Sequence, residues 1–491
     1  MKDSLFFSLR TFDQTTQLII AIACGVLFGA ISLLITPLWT LVILLGLVSV
    51  IATIKRPELG ILAVLALLSS VVGYNKIPVI NIGPGRLYIT EPIVIGLFLL
   101  FLVRWLLEPD FKLAHTPLDL PLLLFYGWAI LSTAIALLQS QLAIEQMIPE
   151  VRTVSYYLLF FPIINLILKE RNLKLLIEGF FFLATLVSIM VIVQYVFGVT
   201  APFLSGRVET LVTVKRVYGD ITRITDIAGE GILTVAVITK FVTMFISKPR
   251  FRSWLEIIQW LTITTAFIMN FNRAHWIAGI GVGLLAVILV KGIDRQRFIT
   301  WIITFLLLLP LVYVPVIINP DTKVSRFITA SLNRLSSSIS NEQLSGSRHV
   351  STLTQRNFEY QYAFPEIMSH PLLGLGLGAN YRPKLAGIAT SSYWIHNGHV
   401  WIMVKTGLVG YFFLMWFCIA RIVRGFKYWR LIPDSRMRGY FLGFTLSFLG
   451  FMVIATLHTS FMALFWAPVI ALSSGVSEVM IKLYVPNQKP A

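Results

Sequence analysis

The chain of 491 residues is 57% hydrophobic and only 13% charged, about half the charged share of an ordinary soluble domain, which excludes a water-soluble globule. Its apolar runs are too long for a disordered polymer or for the short alternating strands of an outer-membrane barrel, so the chain reads as an all-α polytopic membrane protein. The net charge of +17, from 40 Lys+Arg against 23 Asp+Glu, would suggest nucleic-acid binding in a soluble protein, whereas in a membrane protein it reports topology.

In chain order, fourteen apolar runs predict helical spans near 17–35, 38–54, 59–73, 92–103, 121–138, 151–168, 175–198, 231–247, 254–270, 274–290, 298–318, 398–420, 439–457 and 460–478. A span needs about 20 apolar residues, and the third and fourth runs are short, which gives 12–14 transmembrane helices. Cys24 and Cys418 both sit inside apolar runs, so there is no disulfide framework or thiolate metal site. Ala21-Ile22-Ala23-Cys24 faintly resembles a lipoprotein cleavage box, but the apolar run continues to Ile35, so the segment is read as an uncleaved first span.

Lys and Arg are retained on the cytoplasmic side of a membrane protein. With the amino terminus inside, 23 of the 40 cations fall on the cytoplasmic side, Lys240 and Lys405 lie within spans, and most of the rest fall outside. The outside cations concentrate in two long segments, 199–230 and 319–397. Within the second, the Ser-rich stretch Leu335–Asn341 reads as loop, and 351–368 reads as an amphipathic helix lying on the bilayer. Gly374-Leu375-Gly376-Leu377-Gly378 has no preceding strand and no βαβ unit, so it is read as a flexible backbone turn rather than a nucleotide site. No HExxH, Walker sequence or carboxylate cluster suggests a metal.

The strongest local pattern is His396-Asn397, a nine-residue gap, then Gly407-Leu408-Val409-Gly410, with the histidine at the outer mouth of a span. Alone, such a histidine reads as a helix cap or a water-facing side chain. Its company changes that reading, because Arg207, Lys215, Arg216 and Arg223 lie in one external loop and Arg273 sits where two spans meet, in Asn270-Phe271-Asn272-Arg273-Ala274-His275-Trp276. Arg273 is either an interfacial arginine snorkelling beside a Trp anchor or a guanidinium fork for phosphate oxygens.

Asn272–Trp276, the long outer loop, His370-Pro371-Leu372-Leu373-Gly374-Leu375-Gly376, and His396-Asn397 with Gly407 and Gly410 together resemble the O-antigen ligase and polymerase superfamily over roughly residues 200–425. The Arg-x-x-x-Leu motif of that family has two counterparts: Arg207 to Leu211, and Arg273 to Ile277 with Ile for Leu. The resemblance implies an all-helical, membrane-embedded, GT-C-like glycosyltransferase with one long periplasmic loop. It would take its glycan from a polyprenyl (undecaprenyl) diphosphate-linked oligosaccharide, pass it to a glycan or lipid-glycan acceptor, and need no metal, nucleotide or other cofactor. His396 would be the catalytic base, as imidazole changes charge near neutral pH. Arg216 and Arg273 would hold the diphosphate, Arg216 because Lys215-Arg216-Val217-Tyr218-Gly219 resembles the family's arginine before a glycine turn, with Arg207, Arg223 and Asn397 as further substrate-binding candidates.

On this reading residues 1–198 form an amino-terminal transmembrane bundle, 199–478 a catalytic transmembrane region with external loops 199–230 and 319–397, and 479–491 a cytoplasmic tail. The protein would be multi-pass in the inner (cytoplasmic) membrane with its site facing the periplasm, bound to no nucleic acid. The competing reading is a transporter of a small anion or lipid-linked glycan, whose charges should lie near the midplane of both halves.

Overall fold

The computed structural model describes residues 25, 29, 52–72, 79–82, 85–139, 142–200, 203–204, 206–212, 217–246, 254–336, 352–383 and 392–485. The first two predicted spans lie essentially outside these residues, as do Cys24 and Arg216. Each of the other twelve coincides with a helix: α1 (Pro57–Leu67), α2 (Thr90–Leu107), α3 (Asp119–Leu138), α4 (Ile144–Ser155) running through a 3-10 turn into α5 (Phe160–Leu166), α6 (Glu170–Phe197), α7 (Glu230–Ile246), α8 (Trp254–Met269), α9 (Arg273–Leu289), α10 (Gly292–Ile318), α13 (Gly398–Tyr428), α14 (Ser435–Ala455) and α15 (Ala467–Tyr484). Between α10 and α13 lie α11 (Lys323–Ser336) and α12 (Thr352–Ser369).

Among the described residues, eight helices are long and apolar enough to cross a membrane, the α4–α5 unit counting as one. Helices α1, α8 and α9 are apolar but shorter, and α7 has 17 residues including Glu230 and Lys240. The protein is an all-α polytopic membrane protein. Helices satisfy their own backbone groups in a medium without water, which is why hydropathy alone locates them. The last span starts later than the apolar run 460–478 suggests. Ser460–Met462 is a 3-10 turn, and Pro468, with no amide hydrogen to lose, stands in the first turn of α15.

Two antiparallel hairpins interrupt the helical pattern: β1 (Val79–Ile82) with β2 (Gly85–Tyr88), and β3 (Arg207–Val212) with β4 (Val217–Thr225). The second occupies the external segment 199–230. The expected loop Leu335–Asn341 lies outside the described residues after Ser336; Leu335 and Ser336 end helix α11, which Thr322 Oγ1 caps by accepting the Ser325 amide at 3.1 Å and which buries Ser325 and Ala330.

Helix α14 is the central element, packed against α7, α9, α13 and α15. Its approach to α7 depends on Gly439 and Gly443: a Cβ at Gly443 would stand 2.6 Å from Thr239 Cα, and one at Gly439 would stand 2.9 Å from Thr243 Cα. Without a hydrophobic force between helices in lipid, small residues at such contacts provide the packing. The most apolar 18-residue window of α10 has no buried residue, as in a lipid-facing helix, while Phe298 nearer its start is buried and stacks on Phe245.

Candidate active site at the α12–α13 junction

Helix α12 buries Glu359, Ala363 and Ile367, spaced four apart on one face, while Phe364 and Met368 are exposed. The residues expected to form an amphipathic surface helix are therefore helical, with one face committed to the protein. Glu359 is 1% exposed and meets the loop before α13. Its Oε2 accepts the His396 amide at 2.9 Å, and its Oε1 lies 2.6 Å from His396 Nδ1. With Nδ1–H donated to the carboxylate, the lone pair resides on Nε2. The imidazole remains partly exposed, at 29%.

Asn397 is the N-cap of α13, where its Oδ1 accepts the amides of His399 and Val400 and its Nδ2 donates to the Tyr360 hydroxyl at 3.0 Å. It thereby locks the start of α13 to α12 one residue after His396. This geometry makes Asn397 a positioning group. Sequence reasoning found the His-Asn pair but missed Glu359 and Tyr360, which lie 37 residues earlier and become neighbours only through the fold.

The external arginines converge from four elements. In the β3–β4 register Glu209 lies opposite Arg223 and bonds it at 2.7 Å, while accepting from Arg207 at 3.0 Å. Arg207 is 59% exposed and also lies 3.8 Å from Asp226, which leaves it in surface pairs at the hairpin edge. Arg223 turns inward. Burial, reinforced by the Arg223 and Arg273 guanidiniums, pulls Arg334 of α11 down to about 9. Arg273 is also close enough to Arg356 of α12 to repel it. Arg356, itself lowered by burial, donates to the Leu457 carbonyl at 2.9 Å and stands one turn before Glu359. Arg223, Arg273, Arg334 and Arg356 thus form a cationic mouth beside the His396–Glu359 pair. Arg334 and Arg356 carried no motif and were not singled out by sequence.

A second ionisable cluster adjoins this mouth. His458 Nε2 lies 3.3 Å from Asp226 and 3.9 Å from Glu230, and Glu230 also lies 3.0 Å from His275 Nδ1 and accepts the side-chain amides of Asn270 and Asn272 at 2.8 and 3.0 Å. Candidate ligand atoms of Asp226, Glu230 and His458 all lie within 4.8 Å of one another, a convergence that no linear motif announced. Burial pushes His458 down, but the Asp226 hydrogen bond and the Glu230 and Asp226 charges leave it above the ordinary histidine value. The His458 carbonyl accepts the Gly398 amide at 3.2 Å, so this cluster abuts the start of α13.

Residues 257–415 match the family model described as O-antigen ligase. Over these residues the chain is similar to the O-antigen ligase family. No curated protein matches the chain.

The ligase-type domain runs from α8 into α13, so it contains Arg273, Arg334, Arg356, Glu359, His396, Asn397, Gly407 and Gly410, whereas Arg207, Arg216 and Arg223 precede it. Over the matched residues this multi-pass membrane protein is similar to a ligase-type, glycan-transferring family. Within the domain, the glycine segment is the main correction to the sequence reading. Gly374, Gly376 and Gly378 all have positive φ, but they form no loose turn. Leu375 and Gly376 donate to the carbonyls of Val404 and Lys405, Leu377 donates to Thr133 Oγ1, and Gly378 donates to buried Glu150. The opposing Gly407, also at positive φ, breaks the helical geometry of α13, and a Cβ there would collide with the Leu372 carbonyl. Gly407 thus makes the notch into which this segment docks, while Gly410 lies against Thr406 and Trp128.

Proposed function

We propose that this ligase-type enzyme transfers or polymerises oligosaccharide from a polyprenyl-diphosphate-linked donor onto a hydroxyl of a glycan or lipid-glycan acceptor, with inversion at the anomeric carbon. The observation that carries the reading is the His396–Glu359 pair opening beside the four-arginine mouth. The acceptor oxygen forms its bond to the anomeric carbon as the bond from that carbon to the diphosphate oxygen breaks. His396 Nε2 takes the acceptor proton, and Glu359 stabilises the resulting imidazolium. The electron pair leaves on the diphosphate, where Arg273, Arg223, Arg334 and Arg356 offset the added charge.

Four cations crowded together favour a multiply charged anion, and the guanidinium fork suits phosphate oxygens. On the charge distribution of the loops, the site faces outward from an inner membrane. The test uses purified protein in vesicles with lipid-linked oligosaccharide. His396→Ala should lose about 10²- to 10⁴-fold in turnover while still binding donor, and Glu359→Gln should lower kcat and shift its pH profile with little change in KM. A His396→Ala variant retaining half the activity would leave His396 as a structural residue only.

A further inference from the structure

The opposite face of the bundle holds a second cationic site, with no part in the transfer reaction. The bond from Gly398 to His458 joins the outer ends of α13 and α14, and α15 then runs away from that mouth until Tyr484 lies beside Glu170, where α6 begins. There the amino-terminal ends of α1 and α6 and the carboxy-terminal part of α2 surround a cavity of about 310 Å³. Lys55, Arg56, Arg104, Lys169 and Arg171 line it, against the single carboxylate of Glu58.

Glu58 is 3% exposed and is engaged by Asn172 Nδ2 at 3.3 Å. Arg104 has Glu108 at 3.9 Å. Among the described residues no carboxylate lies within ion-pair distance of Lys55, Arg56, Lys169 or Arg171. Two helix starts add to this field, because neither Arg56, the N-cap of α1, nor Lys169, the N-cap of α6, caps its helix with a side chain. Each helix start contributes roughly half a positive charge. Leu166, Leu168 and Leu175 complete the wall. Beside Arg104 the exposed side chains of Trp105, Leu106 and Leu107 continue it as apolar surface, at 46%, 66% and 66% exposure.

We infer that this cavity binds the anionic phosphate headgroup of a membrane phospholipid, with its acyl chains lying along the apolar surface of α2. A phosphate answers the surplus of cations and the two helix starts, and the adjoining exposed leucines favour a lipid-borne phosphate over a free one. On the positive-inside count this is the cytoplasmic leaflet, where a bound lipid would tie α1, α2 and α6 together.

The test measures thermal unfolding and lipid adducts by native mass spectrometry on the purified full-length protein, with phosphatidylglycerol, phosphatidylcholine or inorganic phosphate added separately. Wild type should be stabilised and retain adducts with phosphatidylglycerol only. The triple variant Lys55→Gln, Arg56→Gln, Arg171→Gln, all at exposed positions, should bind that lipid about a hundredfold more weakly and keep the unfolding temperature of lipid-free wild type. Equal retention of both lipids, stabilisation by inorganic phosphate to the same extent, or undiminished phosphatidylglycerol binding by the variant would each overturn the assignment.

Discussion

Where α13, α14 and α15 reach the face opposite His396, each arginine has partners of its own. Arg424 grips Glu478 through two bonds of 2.7 and 2.6 Å, Arg436 meets Glu256 at 2.6 Å, and Arg421, 1% exposed, is held by Ser477, Thr445 and the Ser473 carbonyl. At the external mouth, Arg223, Arg273, Arg334 and Arg356 crowd together while Glu209 is shared between Arg207 and Arg223. The two regions use the same side chain for opposite ends. A guanidinium held by one carboxylate fixes helix packing; guanidiniums crowded together repel one another and favour an anion beside them.

The sharpest way to break this contrast is to disturb the matched end. Arg424→Leu strands the Glu478 carboxylate, 3% exposed, and should cost about 3–5 kcal/mol, seen as a large fall in unfolding temperature. Arg424→Leu with Glu478→Leu should recover most of it. A single variant as stable as wild type would mean that the pair adds nothing to helix packing.

At the mouth the outcome should reverse. Arg273→Ala, Arg334→Gln and Arg356→Gln should each weaken donor binding roughly tenfold to a hundredfold, from about 1.5–3 kcal/mol per charge-assisted bond. Arg334→Gln should raise the unfolding temperature, because a cation whose pKa is depressed in the fold opposes folding while protonated. Arg273→Lys should rescue only in part. Arg207→Ala should have a smaller effect on binding, as Arg207 is exposed and already paired on the hairpin edge; if it alone abolished binding, the diphosphate would sit on β3 instead.

The smallest effect concerns the His458 latch. Its folded pKa lies above the unfolded one, so its contribution to stability is fully present below the ordinary histidine pKa and is lost as pH rises through the folded value. Unfolding temperature measured across that interval should decline for wild type. His458→Gln should flatten the decline, and an unchanged slope would remove His458 from the account.

The spans from α1 to α15 were legible because each is an apolar run that the bilayer forces into a helix, and His396-Asn397 was legible because both residues lie in one short segment. Glu359 was not, since nothing marks one carboxylate among the polar residues of an external helix as the partner of a histidine 37 positions away. The β3–β4 hairpin hid inside a segment read as a charged loop, and only its register decides that Glu209 faces Arg223. The glycines from Gly374 to Gly378 were read as a loose turn because sequence reports their conformational freedom without reporting what they touch; contact with Gly407 and Glu150 makes them rigid.

Composition and hydropathy by themselves determined that this chain is a helical membrane protein, because the cost of exposing backbone to lipid is set by local sequence. Which cations are matched and which crowd around a histidine was decided by tertiary structure alone. Electrostatic pairing depends on distances of a few ångströms between side chains brought in from β4, α9, α11, α12 and the start of α13, and a linear pattern does not contain those distances.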